Sequence, residues 1–202
     1  MRQWVNICIC ICIYTIMEVN ATTEDAPMMT VEDLRNMDSR GERLRGINLE
    51  GVNLSGFDLH GVDLTGANLD RANLDRANLS GANLTDANLD RANLSGANLT
   101  DANLHYTDLN DAKLSGANLE GAFLRRVWIQ DANLRDANLS GAILEHANLE
   151  RAILEGAILT DAFLSGAYLA GANLSGANLQ HTDLNAVNLS GANLQHTDLS
   201  GA

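Results

Sequence analysis

The side chains that could do chemistry in this sequence are histidines, acidic residues, serines and threonines. There are five histidines and 26 acidic residues in 202 positions. Zinc binding needs several His, Cys, Asp or Glu ligands that converge on one point, and a hydrolytic nucleophile needs a neighbouring base. Whether any of these groups converge depends on the elements that carry them. The histidines are His60, His105, His146, His181 and His196.

Those elements repeat every five residues. From residue 44 to residue 199, leucine occupies every fifth position, with Ile129 as the exception. Counting from position 47, alanine occupies the register position two residues before the leucine in 23 of 32 pentads, and Asn or Asp lies one residue before it in 23 of 32. All 17 glycines share the register position two residues after the leucine, beginning with Gly41. Neither the helical period of 3.6 residues nor the strand period of 2 accommodates such a pattern.

A chain that turns a corner every five residues satisfies the pattern. Ala and Leu point inward from a three-residue extended segment, and the residue between them points outward. Glycine at the second turn position supplies the positive φ that a type II turn requires. Four sides close a square coil after 20 residues, and the next coil stacks about 4.8 Å below it. A three-sided coil of 15 residues is equally compatible with the spacing.

The A(N/D)LXX pattern of residues 44–202 resembles the pentapeptide-repeat proteins. The resemblance implies an all-β solenoid, a right-handed quadrilateral β-helix, and therefore favours four sides over three. The 32 pentads then form about eight coils, a rod about 38 Å long. A signal peptide and a short helix ahead of the pentads would resemble the secreted cyanobacterial members of the family.

A filled coil of this kind predicts no enzyme. In a 20-residue coil, no two histidines share both a side and a register position, and the repeated QHTDL at 180–184 and 195–199 places His181 and His196 on different sides. A packed solenoid offers no cleft that could separate the pKa values of a catalytic acid and base. The serines and threonines have no histidine partner. We therefore expect no catalytic residue, no cofactor and no metal site.

Residues 1–21 are predicted to be a signal peptide. Arg2 precedes a mostly apolar run from Trp4 to Met17, which is too short to cross a hydrocarbon core of about 30 Å, and Val19-Asn20-Ala21 resembles a cleavage site. We expect export to the periplasm, the extracellular space or the thylakoid lumen, with no stable membrane anchor after cleavage. All three cysteines lie in this segment. An uncleaved anchor, or a cytoplasmic protein with a mis-assigned start, is the alternative.

The two ends of the repeat domain are predicted to differ. Residues 22–43 read as a linker and a short capping helix, VEDLRNM, opened by a capping box between Thr30 and Asp33. Large inward residues replace alanine in the first four pentads and should close the first coil. The repeat continues to Ala202 without a capping segment, and an open edge invites association, so an end-to-end homodimer through the last coil is expected. The large residues are Ile47, Val52, Phe57 and Val62.

Outward apolar residues give the sharpest functional prediction. Residues 20 apart should stack, so Phe123, Ile143 and Phe163 should form an apolar stripe on one face. Trp128 and Tyr168 should lie on the neighbouring face. Exposed contiguous apolar surface marks interaction sites, and Trp, Tyr and Arg carry much of the binding energy of interfaces. Stacking of apolar side chains in place of asparagines, without a partner, is the structural alternative. Two further residues, Tyr106 above Arg126, complete the predicted protein-binding set at the corner between these faces.

Two functions remain from the sequence. The first is an exported, non-enzymatic scaffold that binds a protein partner or itself. The second follows from the resemblance, because some cytosolic pentapeptide-repeat proteins mimic DNA and bind DNA gyrase, giving quinolone resistance. Residues 44–202 carry 19 acidic and 9 basic side chains, a net charge of −10, whereas B-DNA of equal length carries about 22 negative charges. The acidic balance argues against nucleic acid as a partner. Mimicry of DNA is the weaker alternative, because the charge is below half that of DNA, because Arg71, Arg76 and Arg91 interrupt the acidic residues, and because the predicted export would separate the protein from gyrase.

Overall fold

The structure, a computed structural model, describes residues 44–202. The predicted signal peptide, linker and capping helix lie outside these residues. The described chain forms neither an α-helix nor a continuous strand. It winds instead as a coil with single bridge residues on each side. Within this range, no helix has the length and hydrophobicity that crossing a membrane requires.

The coil repeats every 20 residues. Each outward residue forms a parallel bridge with the residue 20 positions later, from Asn48 with Asn68 through to Asn178 with Asp198. This spacing equals four pentads, so each coil has four sides and the 15-residue alternative is excluded. We number the faces by their outward residues: face 1 contains positions 63 to 183, face 2 contains 48 to 188, face 3 contains 53 to 193, and face 4 contains 58 to 198, each in steps of 20.

Hydrogen bonds between coils run along the axis of the rod. The amide of Leu124 donates to the carbonyl of Ile143 in the next coil at 2.8 Å, and the amide of Phe123 donates to Ala102 in the previous coil at 2.9 Å. A third bond joins the corners, where the amide of Arg126 donates to Glu145 at 3.0 Å. Backbone hydrogen bonds therefore join each interior pentad to both neighbouring coils, as in a parallel sheet.

The core consists of stacked leucines with alanines between them. Leucines from Leu44 to Leu179 and alanines from Ala67 to Ala177 are buried, most of them completely. In the first coil, Val52 and Val62 are buried as expected, and Ile47 and Phe57 are partly buried against the core. The inward and outward positions predicted from the pentad period are confirmed.

The second turn residue of every pentad has a left-handed backbone, whether or not it is glycine. The prediction for glycine is confirmed, with φ of +66° at Gly121 as an example. Sixteen other residues hold φ between +54° and +59° at the same position, a region that costs L-residues about 1–2 kcal/mol each. Six are aspartates, whose short polar side chains tolerate this conformation best. The repeated coil geometry therefore requires a left-handed conformation even of residues for which it is unfavourable.

Two glycines at this position should differ in their tolerance of a side chain. A Cβ at Gly121 would lie 2.5 Å from Oδ1 of Asp101, whereas a Cβ at Gly141 would meet nothing within 4 Å. Gly141→Ala should lower the free energy of unfolding by about 1 kcal/mol, the cost of the left-handed backbone. Gly121→Ala should cost about 2 kcal/mol because the Asp101 carboxylate must also move. Chemical denaturation measures both, and equal losses, or a difference that survives in an Asp101→Gly background, would contradict the contact.

Candidate protein-interaction face

The histidines and carboxylates of the described chain do not converge. No group of three or more His, Cys, Asp or Glu among residues 44–202 could hold a metal ion. The expectation that no serine has a histidine partner is wrong at one position, because Nδ1 of His60 lies 2.9 Å from Oγ of Ser80, one coil below. The Ser80 hydroxyl also donates to Oδ1 of Asn78 at 2.7 Å. His181 and His196 occupy different corners, because they are 15 residues apart in a 20-residue coil. Within residues 44–202, the structure therefore offers no assembled metal centre.

The outward asparagines have a structural task. Oδ1 of Asn103 accepts a hydrogen bond from the amide of His105, two residues on, at 3.2 Å, and the same contact recurs in most pentads. Side-chain amides also bond from coil to coil, for example from Nδ2 of Asn138 to Oδ1 of Asn118 at 3.0 Å. These ladders satisfy polar groups at the corners, so the asparagine columns need no ligand to explain them.

Face 1 carries a continuous apolar stripe. Phe123 bridges to Ile143, and Ile143 bridges to Phe163, so the three side chains are immediate neighbours on adjacent coils. Phe123 and Phe163 are exposed, and Ile143 is half-buried between them. The spacing between coils makes the stripe about 10 Å long from the first residue to the last. The predicted stacking is confirmed.

Face 2 and the corner before it carry the remaining aromatic residues. Trp128 and Tyr168 are two coils apart on face 2, with Asn148 between them. Tyr106 lies at the corner between faces 1 and 2, one coil above Arg126. The five exposed aromatic side chains of the described chain, those of Tyr106, Phe123, Trp128, Phe163 and Tyr168, each expose between 40% and 52% of their surface. All lie on two adjoining faces of one part of the rod.

Apolar residues on face 1 leave backbone donors free beside the stripe. Where asparagine is replaced, the amide of the first turn residue loses its side-chain acceptor. The amides of Arg125, Glu145 and Ser165 donate to no group within residues 44–202. They form a line of donors, one coil apart, along the edge of the stripe towards face 2. A docking protein would find apolar surface and hydrogen-bond donors side by side.

Two charged residues that flank Phe123 have no ion-pair partner in the described chain. Arg125 forms an ion pair with Glu145, but neither Arg126 on one corner nor Glu120 on the opposite corner pairs with an opposite charge among residues 44–202. Both are exposed. Face 1 is thus bordered by a free cation on one side and a free anion on the other.

Paired charges on the corner between faces 2 and 3 show the contrast. Arg151 donates to both carboxylate oxygens of Asp131, through Nε at 2.8 Å and Nη2 at 2.6 Å. These hydrogen bonds lower the pKa of Asp131 and raise that of Arg151. Arg91 has its pKa raised in the same way, chiefly by its hydrogen bond to Asp90. Such pairs offset half of the acidic charge of this corner, which carries six carboxylates and three arginines.

Three features of the surface were not predicted. Ile153 on face 3 and Ile158 on face 4 also point outward, so the apolar surface extends around the rod. Both isoleucines occupy the outward position that asparagine holds in most pentads, and this substitution in the sequence was sufficient to predict them. The third feature is His105, for which the sequence suggested no contact: its ring packs edge-on to Phe123 at 6.1 Å, and its Nδ1 is buried with no hydrogen-bond partner in the described chain. The pentad register places the two rings on adjacent coils.

A family model for pentapeptide repeats matches eight copies, at residues 43–81, 77–116, 108–127, 132–169 and 167–202. The chain belongs to the pentapeptide-repeat family. Pentapeptide-repeat proteins are right-handed β-helices and are generally non-enzymatic structural or interaction proteins. Comparison with curated proteins gives no significant match.

Three solved pentapeptide-repeat structures are similar to this chain. Rfr23 from the cyanobacterium Cyanothece 51142 is 41% identical over 45% of this chain, with a TM-score of 0.44, and the match spans 63% of Rfr23. HetL, from the cyanobacterium Nostoc sp. strain PCC 7120 and involved in heterocyst differentiation regulation, is 30% identical over 86% of this chain and 95% of its own, with a TM-score of 0.47. A protein of the Arabidopsis thaliana thylakoid lumen is 26% identical, covers 69% of this chain and 70% of its own, and has a TM-score of 0.23.

Proposed function

We propose that this pentapeptide-repeat protein is an exported, non-enzymatic scaffold that binds a protein partner, or a second copy of itself, through one aromatic face. This aromatic face is defined by seven residues on faces 1 and 2 and the corner between them. They are Tyr106, Phe123, Arg126, Trp128, Ile143, Phe163 and Tyr168.

The observation that carries the proposal is the continuous stripe of Phe123, Ile143 and Phe163. At most other outward positions, asparagine or aspartate ties the corner together through its side chain. An apolar residue gives up that hydrogen bond and exposes apolar surface to water, which costs about 25 cal/mol for each Å². Three such exchanges in succession on one face are explained by a protein surface that covers them.

Export is proposed from the sequence of residues 1–21. The apolar run with a short basic start and a small-residue cleavage site favours a signal peptide. If the protein remained in the cytoplasm, the alternative function would apply, in which an acidic rod mimics DNA and binds gyrase. The ion pairs that Arg71 and Arg91 form with Asp70 reduce the negative potential of the rod. They therefore favour the exported scaffold over the DNA mimic.

Site-specific photocrosslinking tests the proposed face. A photoreactive phenylalanine analogue at position 128 on face 2 should give covalent adducts with another protein chain in the source cells. The same analogue at Asn93 on face 3 should give none, because that column is tied into asparagine ladders. Phe163→Asn should abolish the adducts from position 128 without changing the melting temperature. Equal labelling from positions 93 and 128 would refute the proposed face.

A further inference from the structure

We propose that the occupant of face 1, the part of the aromatic face that carries the stripe, is a second copy of this chain, packed side by side with the two coil axes parallel and pointing the same way. This inference rests on the proposed function and names its partner. In this arrangement a two-fold axis runs along the stripe, so that each of its three residues meets its own counterpart. The residues on the axis are Phe123, Ile143 and Phe163.

The symmetry decides which corners meet. A two-fold axis parallel to the rods preserves height along the rod and exchanges the two edges of face 1. The edge towards face 4 of one copy therefore lies against the edge towards face 2 of the other, at the same coil. Each contact occurs twice, because a two-fold interface uses the same patch on both copies.

The charges at these edges are complementary. Glu120 precedes Phe123 by three residues and lies on the edge towards face 4, and Arg126 follows it by three residues on the edge towards face 2. The parallel two-fold brings Glu120 of each copy against the second copy's Arg126. These are the two flanking charges that have no partner within residues 44–202. Ion pairs at an interface of this kind fix orientation and suppress wrong partners.

The other coils agree with the same arrangement. One coil above, the Asp101 carboxylate meets the second copy's Tyr106, a hydrogen-bond donor. One coil below, Ser140, whose hydroxyl already donates to Oδ1 of Asn138 at 2.7 Å, meets the second copy's Glu145, so this contact is between a neutral group and a charged one. No edge of the stripe places two like charges together. The coils above and below therefore add no repulsion to the parallel arrangement.

Antiparallel packing on the same stripe gives the opposite result. A two-fold axis across the rods, through Ile143, inverts height and places each edge against itself. Glu120, which has no ion-pair partner within residues 44–202, would then face the edge that carries Asp161, and Glu145, which pairs with Arg125, would face its own counterpart. Like charges placed opposite each other disfavour an interface and suppress the wrong arrangement. The charge pattern therefore selects the parallel dimer.

The interface is small. The matched edges span about four coils, or about 19 Å along the rod, which lies at the small end of the range for specific complexes. We expect a dissociation constant of about 1–100 µM, in the range of transient associations. A face of this size binds only when local concentration is high, as it would be for a protein confined to one exported compartment.

Charge reversal tests the pairing in the purified full-length chain. Glu120→Arg and Arg126→Glu, each alone, should weaken the dimer at least about tenfold, because each creates two like-charge contacts. The double variant should return to within about threefold of the wild-type constant. Sedimentation equilibrium measures the constants, and unchanged melting temperatures exclude misfolding. A wild-type monomer at about 300 µM, or a double variant no tighter than the singles, would overturn the dimer.

Disulfide cross-linking tests the orientation. With Cys8, Cys10 and Cys12 replaced by serine, Phe123→Cys, Ile143→Cys and Phe163→Cys should each form a covalent dimer on oxidation. Asn133→Cys on face 3 should not. Cross-linking by the variant at position 143 alone would indicate antiparallel rods and overturn the proposal.

The outcomes separate this inference from the proposed function. A monomeric protein whose photocrosslinks from position 128 persist in cells has a different protein on its aromatic face, so the inference fails and the proposed function stands. If the protein is monomeric and position 128 gives no photocrosslinks in cells, both the inference and the proposed function are wrong. A dimer that charge reversal does not weaken, and that the cysteines on the stripe do not trap, forms elsewhere. The expected end-to-end contact through the last coil is then the remaining explanation, and the parallel arrangement is wrong.

Discussion

Replacing Leu119 by alanine should lower the free energy of unfolding by about 3–5 kcal/mol, whereas Ile158→Ala should cost less than about 1 kcal/mol. Both changes remove three carbon atoms from aliphatic side chains of equal size. Leu119 is completely buried within the leucine stack, while Ile158 points outward from face 4 and exposes 42% of its surface. The inward substitution leaves a cavity that the rigid coil cannot close.

Denaturant titration followed by circular dichroism measures both variants. The slope of the transition should be the same as in the wild type, because the surface exposed on unfolding is almost unchanged. A solenoid unfolds through nearest-neighbour contacts, so a central coil such as that of Leu119 should affect the whole transition. Similar losses at the two positions would contradict the assignment of inward and outward sides.

Deleting one pentad, residues 132–136, should abolish binding at the aromatic face while leaving the fold intact. Every side of the coil presents the same inward Ala and Leu, so the core closes again after the loss of five residues. The outward columns, however, shift by one face. Phe123 then lies above Asn148 instead of Ile143, and the stripe is broken. We expect dimer formation and photocrosslinking to fall at least about tenfold, because the contiguous apolar surface is lost.

Deleting residues 82–86 is the matched control. The two segments read ANLRD and ANLTD, and both deletions shorten the rod by a quarter of a coil. The control lies above the whole aromatic face, so the residues from Tyr106 to Tyr168 keep their relative positions. Its melting temperature should match that of the first deletion, and its binding should stay within about threefold of the wild type. Equal binding by both deletions would show that stacking at 20-residue intervals is irrelevant to recognition.

The sequence was sufficient to predict the coil because the same physical rule applies in every pentad. Leucine and alanine at fixed positions determine which side chains point inward, and glycine marks the left-handed turn residue. The number of sides did not follow from the pentad alone. It required the family resemblance, and the bridges between residues 20 apart confirm it. Once the number of sides is known, the stripe of Phe123, Ile143 and Phe163 follows by counting.

What the sequence could not show depends on contacts between coils. The buried hydroxyl of Thr107 donates to the carbonyl of Leu84 at 2.8 Å, and His105 packs on Phe123. Both involve residues that are distant in the chain and depend on side-chain orientation at the corners. The free charges of Glu120 and Arg126 likewise emerge only when each neighbouring coil has been searched for a partner. Recognition lies in these departures from the repeat, which the repeat itself does not determine.

The direction of the hydrogen bonds between coils has a mechanical consequence. Because these bonds lie along the rod, a pull on its two ends loads the outermost coil first, and that coil can peel away before the next one bears any force. Each detached coil releases 20 residues, or about 70 Å of extended chain. A tether attached to the ends would therefore lengthen stepwise under tension, whereas a load applied sideways on the aromatic face would be shared by several coils at once.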